Sequence, residues 1–379
     1  MTNSPTGSQT ELGTIPAPAA DAERVPAARR EVFGLPVGEL AKSLEPVIDQ
    51  PYRVGQVYRA LYQRGLADFA EMTELSKALR AQLGQRFAIT LPEISQRHLS
   101  ADGTVKYLFQ LADGATIETV DIPDARRRTL CLSSQAGCAL ACRFCVTGYW
   151  GAGRNLSAGE IVGQLLLAQR QPSSPVEGLN LVFMGMGEPL LNLEALGQAL
   201  EIITDLISWR RITLSTAGVI PGIEALARWP RRPRLAISLH APDDERRSRI
   251  MPINQRYPLA DLLAALRRFP LAKRERLTFE YILIRNFNDA LQDADALARL
   301  LTQLPAKVNL IPLNPDPVLD PEMKAPQRQQ VEAFQRRLKG HGVTTTVRKQ
   351  RGDDVSAACG QLRAPDRTPR GFRRSNLSL

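Results

Sequence analysis

Apolar and polar positions along the chain change their period three times, and each change predicts a different kind of structure. Residues 1–30 show no apolar period and are rich in Pro, Ala, Thr and Ser, which predicts a disordered leader. From about Val32 the segments Val37-Gly-Glu-Leu-Ala-Lys-Ser-Leu and Val54-Gly-Gln-Val-Tyr-Arg-Ala-Leu-Tyr repeat apolar residues at helical spacing. That pattern predicts a helical accessory module over 31–93. Between about Ile94 and Pro123 short alternating runs are punctuated by Asp102-Gly103 and Asp113-Gly114, dipeptides that suit tight turns. They predict a small antiparallel β-hairpin extension over 94–124.

Beyond Thr129, β-rich runs alternate with amphipathic helical patterns. The runs Thr129–Ser133, Leu179–Met184, Arg211–Ser215, Leu235–Leu239, Leu277–Ile284 and Val308–Pro312 read as strands. Six β/α repeats imply an α/β fold with a parallel sheet over 125–352. A partial (β/α)6 barrel is preferred to a doubly wound sheet because Gln135, Glu188, Ser215, His240 and Asn314 recur at or just beyond strand ends, the edge where parallel barrels carry their active sites. Residues 353–379 form a polar, glycine-flanked segment around Cys359 followed by a basic tail.

Charge narrows the partners. Lys and Arg outnumber Asp and Glu by 49 to 39 in 379 residues, for a net charge of +10, which favours a polyanion such as nucleic acid. Arg53, Arg59, Arg64, Arg80 and Arg86 make the helical module basic, as RNA contacts or as a solvated face. Arg348, Lys349 and Arg351 read only as phosphate contacts. No run approaches the roughly 18 apolar residues of a membrane span, and the N-terminus carries no secretory pattern, so a soluble cytoplasmic protein is expected.

Five cysteines, odd in number and clustered, point to metal binding or catalysis under reducing conditions rather than a disulfide framework. Gly137-Cys138-Ala-Leu-Ala-Cys142-Arg-Phe-Cys145 places three thiols at Cys-x3-Cys-x2-Cys just after the first barrel strand. Three thiolates on a four-iron cluster leave one iron open to a small molecule. The alternative is zinc, but a structural zinc site wants four ligands, and His98, His240 and His341 are remote in sequence.

With Phe144 before the last of these cysteines and Met184-Gly-Met-Gly-Glu188-Pro further on, the sequence resembles the radical S-adenosylmethionine (SAM) superfamily. The resemblance implies a [4Fe-4S] cluster on Cys138, Cys142 and Cys145, with SAM chelating the open iron and cleaved to a 5′-deoxyadenosyl radical. Glycines at 185 and 187 permit close backbone approach, and the Glu188 carboxylate suits the SAM ammonium. Ile117-Glu118-Thr-Val, Thr129-Leu-Cys131, Leu214-Ser-Thr216, Ser238-Leu-His240-Ala, Met251-Pro-Ile-Asn254, Asn309-Leu-Ile-Pro-Leu-Asn314-Pro and the Cys359 tail narrow it to the adenine carbon-2 RNA methyltransferases called RlmN, from about Val32 to Leu362.

That family implies 23S ribosomal RNA and transfer RNA as substrates, two SAM molecules per turnover, a flavodoxin-type electron donor and a monomeric enzyme. Cys359 would carry the methyl group, Glu118 would remove the ring proton, and Cys131 would free the product through a transient Cys131–Cys359 disulfide. SAM would be bound by Gly187, Glu188, Ser215, Ser238, Leu239, His240 and Asn314. Without the family, two buried cysteines is the usual reading of Cys131 and Cys359 and a solvated hairpin residue that of Glu118, but Cys131 on the strand leading into the cluster loop and Cys359 in a polar, glycine-flanked tail argue for two non-ligand thiols that meet over the cluster. Two alternatives stand beside this reading. One is the related carbon-8 (Cfr-type) family, which Val146-Thr-Gly148 approaches but Glu188-Pro189 and Arg351-Gly-Asp-Asp354 do not. The other is a non-catalytic, zinc-stabilised RNA-binding protein.

Overall fold

The computed structural model describes residues 29–124, 126–171 and 178–363. Most of the leader, Ala125 at the start of the barrel segment and the basic tail from 364 lie outside them.

Among the described residues the chain opens with β1 (Arg30–Glu31), then α1 (Val37–Leu44), α2 (Pro51–Tyr62) and α3 (Lys77–Arg86), closed by β2 (Phe87–Ala88) pairing parallel with β1. The helices form as their periods predict: Leu40, Leu44, Val54, Val57 and Leu61 are buried in one core, and Ser76 caps α3 through the Leu79 N–H. Tyr62 ties the module together, donating to the Leu35 carbonyl and accepting from the Gly34 N–H.

Next come β3 (Glu93–Leu99), β4 (Val105–Gln110) and β5 (Thr116–Pro123), an antiparallel meander. The Asp-Gly turns work as the sequence predicts. Asp102 and Asp113 accept from the Thr104 and Ala115 N–H groups at 2.9 and 3.1 Å, and Gly103 and Gly114 take positive φ. The meander does not stand apart as a small sheet. β5 pairs antiparallel with β6 (Arg128–Cys131), which continues directly into the parallel sheet. Arg128 fixes this junction through a buried ion pair with Asp121 and a bond to the Ala168 carbonyl.

The parallel region runs α4 (Val146–Tyr149), α5 (Ala158–Gln169), β7 (Leu179–Phe183), α6 (Leu193–Leu206), β8 (Ile212–Thr216), α7 (Ile220–Ala227), β9 (Arg234–Ser238), α8 (Asp244–Ile250), α9 (Leu259–Arg268), β10 (Leu277–Leu283), α10 (Leu291–Leu301), β11 (Ala306–Pro312), α11 (Arg328–Gly340) and β12 (Thr344–Val347). The result is one ten-stranded sheet among the described residues, ordered β12-β11-β10-β9-β8-β7-β6-β5-β4-β3, parallel from β6 to β12. It is an open α/β sheet, a partial barrel. The six expected strands are present to within two residues at each end. β12, a seventh, was missed because Thr344-Thr-Thr-Val is short, half exposed and follows a helix without an apolar run.

Fully buried Arg247 locks the far wall of the barrel. It donates to the carbonyls of Ala217, Ser238 and Leu239 at 2.7–3.1 Å and to Asn254 Oδ1 at 2.6 Å. The ends of β8 and β9 are thereby held in register by one guanidinium, whose pKa burial lowers to about 10. Arg247→Met takes the guanidinium donor from the Ala217 and Ser238 carbonyls and from Asn254 Oδ1, while Leu239 keeps the Ala241 N–H, and is expected to cost about 3 to 5 kcal/mol in denaturant unfolding. A loss below about 1 kcal/mol contradicts this role.

Candidate active site

The cluster loop leaves the C-terminal end of β6 and closes with the short α4. Cys138, Cys142 and Cys145 are desolvated, and burial raises the pKa of each: Cys138 to about 12, Cys142 well above the ordinary thiol value, and Cys145 upward. The charge of Cys145 acts on Cys138, those of Cys138 and Cys145 act on Cys142, and that of Cys359 acts on Cys145. Thiols held neutral by burial become thiolates when they ligate iron, and three of them supply one ligand to each of three irons. Among the described residues no set of three or more His, Cys, Asp or Glu side chains gathers around a single ion. Three soft donors spread round a loop fit the cluster.

The residues expected at SAM lie at the same strand ends. Gly187 has φ +95, and a Cβ there would come within 2.5 Å of Gln135 Cβ, so only glycine lets the turn after β7 lie against the loop after β6. Gln135 Oε1 accepts the Glu188 N–H at 2.8 Å. The Glu188 carboxylate accepts from the N–H groups of Leu190 and Ala217 at 3.1 and 2.8 Å, and burial raises its pKa to about 7. Its charge reaches Cys138 and Cys142, placing it beside the cluster loop.

Ser215 and Ser238 are partly buried near the ends of β8 and β9 and share a sheet face, because Ser215 lies opposite Ala236, two residues from Ser238. The Leu239 N–H donates to the Glu280 carbonyl, continuing the ladder beyond β9. His240 has φ +60; its Nδ1 accepts the Ile282 N–H at 3.0 Å, and its ring packs edge-on against Phe144. Burial lowers its pKa to about 3, so the ring is neutral and carries its proton on Nε2.

Asn314, expected at SAM, turns its amide to the Cys359 carbonyl at 3.0 Å. The Cys359 segment is further pinned to the cluster loop. The Gly360 carbonyl accepts the Val146 N–H at 2.6 Å, and the Leu362 carbonyl accepts the Thr147 hydroxyl at 2.7 Å. Gly360 has φ +83, and a Cβ there would reach 3.2 Å from the Phe144 carbonyl. Cys359 is thus brought beside the cluster loop by hydrogen bonds to the backbone on its C-terminal side.

A cavity of about 380 Å³ opens at this point, and both Cys131 and Cys359 line it, with Met184, Asn314 and Arg348. Both thiols are free. Burial pushes Cys131 up to about 12, and the charge of Cys359 adds to that, so the two sulfurs are electrostatic neighbours.

Arg348 corrects its expected role as a phosphate contact. It turns inward, hydrogen-bonded to the Cys359 thiol and to Met184 Sδ at 3.7 Å, and its field reaches Cys131 and Glu280. Arg351 faces Asp102 at 3.7 Å. Glu280, which sequence reasoning missed, lies in the middle of β10, where Asn309 donates to its Oε1 at 3.0 Å. Its signal was a lone carboxylate inside the apolar run Leu277–Ile284.

Glu118 is buried on β5, not a solvated hairpin residue. Lys106 Nζ stands 2.9 Å from its Oε1, and the Arg363 N–H donates to its Oε2 at 2.9 Å. Strand register puts Lys106, Glu118 and Cys131 on one face of the sheet, since Lys106 opposes Val120, which opposes Cys131.

A family model for the Radical SAM superfamily matches residues 132–301, and one for the ribosomal RNA large subunit methyltransferase N-terminal domain matches residues 31–89. The dual-specificity RNA methyltransferase RlmN of Geobacter sulfurreducens is 47% identical over 337 residues, 88% of this chain and 92% of that protein. The protein of the same name from Syntrophotalea carbinolica is 48% identical over 333 residues, 86% of this chain and 87% of that one. Among solved structures, a radical SAM methyltransferase from Sphaerobacter thermophilus superposes with a TM-score of 0.82 at 42% identity, covering 88% of this chain and 99% of that one. No helix among the described residues is long and apolar enough to cross a membrane. A three-thiol loop at the mouth of an open parallel sheet, a second thiol pair lining one cavity and this degree of likeness lead to one conclusion: the chain belongs to the RlmN family of radical SAM RNA methyltransferases, which work with a [4Fe-4S] cluster and SAM.

Proposed function

We propose that this enzyme methylates carbon 2 of adenine in 23S ribosomal RNA and in transfer RNA, using Cys359 as methyl carrier, Glu118 as base and Cys131 as resolving thiol. The observation that carries the reading is the pair of free thiols lining one cavity beside the cluster loop. The relatives' name, dual-specificity RNA methyltransferase, agrees with two RNA classes.

Carbon 2 lies between two ring nitrogens and is too electron-poor to attack a methyl cation donor. The cluster and SAM, when bound, supply methyl groups and the radical chemistry that overcomes this. The protein supplies placement. Cys138, Cys142 and Cys145 would hold the cluster, and the turn at Gly187 and Glu188, with Ser215, Ser238, Leu239, His240 and Asn314, would bind SAM. Arg348 donates to Cys359, a contact that orients its sulfur in the cavity.

Once the methyl carbon joins adenine and Cys359 at once, Glu118 takes the proton from ring carbon 2, and the unpaired electron that radical addition leaves in the ring would return to the cluster. Cys131 then attacks the Cys359 sulfur. The S–S bond forms, the carbon–sulfur bond breaks, its electron pair goes to the departing carbon, and a proton completes the methyl group. A flavodoxin-type protein provides electrons, two SAM molecules are used per turnover, and the enzyme acts in the cytoplasm as a monomer.

The test is mass analysis of nucleosides from ribosomal and transfer RNA after incubation with the reconstituted enzyme and SAM. Methyl at carbon 2 of adenine in both is expected. Methyl at carbon 8 overturns the site of modification, and a colourless protein with stoichiometric zinc that methylates nothing overturns the enzyme. In the same assay Glu118→Gln should lower RNA methylation by about 100-fold or more while leaving SAM cleavage measurable. Wild-type methylation by this variant removes Glu118 from the chemistry.

A further inference from the structure

Lys106 is a charged residue in an apolar strand, Val105-Lys-Tyr-Leu-Phe109, and only 6% of it is exposed. Burying an ammonium group is costly unless a charged partner and hydrogen bonds compensate. Here the partner is Glu118, and the ammonium also donates to the Ser356 carbonyl at 3.4 Å. Ser356 lies three residues before Cys359, and Arg363, whose N–H binds the other Glu118 oxygen, lies four after it. The Lys106–Glu118 pair therefore grips the Cys359 segment on both flanks.

We propose that Lys106 is the positioning residue of Glu118: it holds the carboxylate beside the Cys359 segment and supplies the counter-charge that lets it serve as a base inside a buried site. The inference rests on the reading of Glu118 as the base. The two carboxylate oxygens divide the work. Oε1 is anchored by Lys106, while Oε2, among the described residues, accepts the Arg363 backbone N–H. The proton leaves the ring carbon for a Glu118 oxygen, the bonding pair stays in the ring, and Lys106 keeps its own protons throughout.

Opposing influences act on the carboxylate. Burial raises its pKa above the ordinary value, while Lys106 from β4 and Arg363 from the C-terminal segment lower it. The Arg363 guanidinium is itself paired with Asp316 from the loop after β11. The other contacts to the Glu118 backbone are neutral: Met186 Sδ accepts its N–H at 3.4 Å, and the Ser133 hydroxyl donates to its carbonyl at 2.6 Å. An adjacent opposite charge lowers a carboxyl pKa by about 1 to 3 units. Removing the Lys106 charge thus raises the Glu118 pKa. A base must be deprotonated to act, so the acid limb of the activity profile moves to higher pH.

The experiment compares full-length reconstituted wild type, Lys106→Met, Lys106→Arg and Glu118→Gln on substrate RNA across a pH series. It reads SAM cleavage, methylation of Cys359 and RNA methylation separately. For Lys106→Met the acid limb of RNA methylation should rise by about 1 to 3 pH units, with the deficit narrowing at high pH; Lys106→Arg should keep the limb within about half a unit of wild type. A Lys106→Met profile lowered uniformly, or superimposed on wild type, overturns the proposal and leaves Lys106 a structural lysine. Should Lys106→Met fail to fold, Lys106→Gln, which keeps a donor for Ser356 but no charge, is read by the same criteria. Glu118→Gln with wild-type methylation sinks the base reading itself. An inactive Glu118→Gln beside an unshifted Lys106→Met sinks the Lys106 inference alone.

Discussion

Cys131→Ala enzyme purified from cells is expected to carry RNA bound covalently through Cys359, whereas Cys359→Ala enzyme carries none. The two thiols line one cavity, yet in the proposed mechanism they act on opposite sides of bond formation to RNA. Without Cys359 no methyl group is loaded on the protein and no link to RNA forms. Without Cys131 the loading and the link proceed, but nothing attacks the Cys359 sulfur, and turnover stops at the adduct. Methylation in both variants should fall to background. A denaturing gel before and after ribonuclease, with mass analysis of the Cys359 peptide, separates them. Equal RNA on both proteins, or none on Cys131→Ala, contradicts the assignment of two thiol roles.

Replacing any one of Cys138, Cys142 or Cys145 by Ala should abolish SAM cleavage, a loss of more than about 100-fold. The three sit on one short loop, desolvated and within reach of each other's charge. Two remaining thiolates cannot hold a four-iron cluster with its open iron in place. The folded apo-protein should survive, because the loop is also held by backbone bonds at Cys138, Arg143, Cys145 and Val146. The readouts are 5′-deoxyadenosine yield and iron content. A variant with full cleavage would falsify the ligand assignment.

How much of this was legible depended on the kind of interaction involved. The cluster loop was readable because its ligands are local: three cysteines within eight residues need no distant partner to be recognised. The same holds for the six strands and the Asp-Gly turns, where apolar period and turn chemistry act over a few residues. Local context set Cys131 and Cys359 apart from ordinary buried cysteines, but their roles, and Glu118 altogether, came only through the resemblance to the family. Arg348 was misassigned for a similar reason. Its neighbours in sequence are Lys349 and Arg351, which look like a basic surface, whereas its neighbours in space are Cys359, Cys131 and Glu280.

By itself, then, the sequence determined the elements, the α/β class and the metal-binding loop, because periodicity, turn chemistry and ligand spacing are short-range properties of the chain. Tertiary structure alone decided which buried charges meet. Lys106, Glu118 and Cys131 share a face only because β4, β5 and β6 pair in one particular register, and a shift of one residue in any pairing would turn them to opposite sides. Cys359 reaches the cluster loop only because Gly360, Leu362 and Arg363 find backbone, hydroxyl and carboxylate partners about 215 to 245 residues away in sequence. Such contacts are set by the packing of whole layers, and no pattern within a window of the chain encodes them.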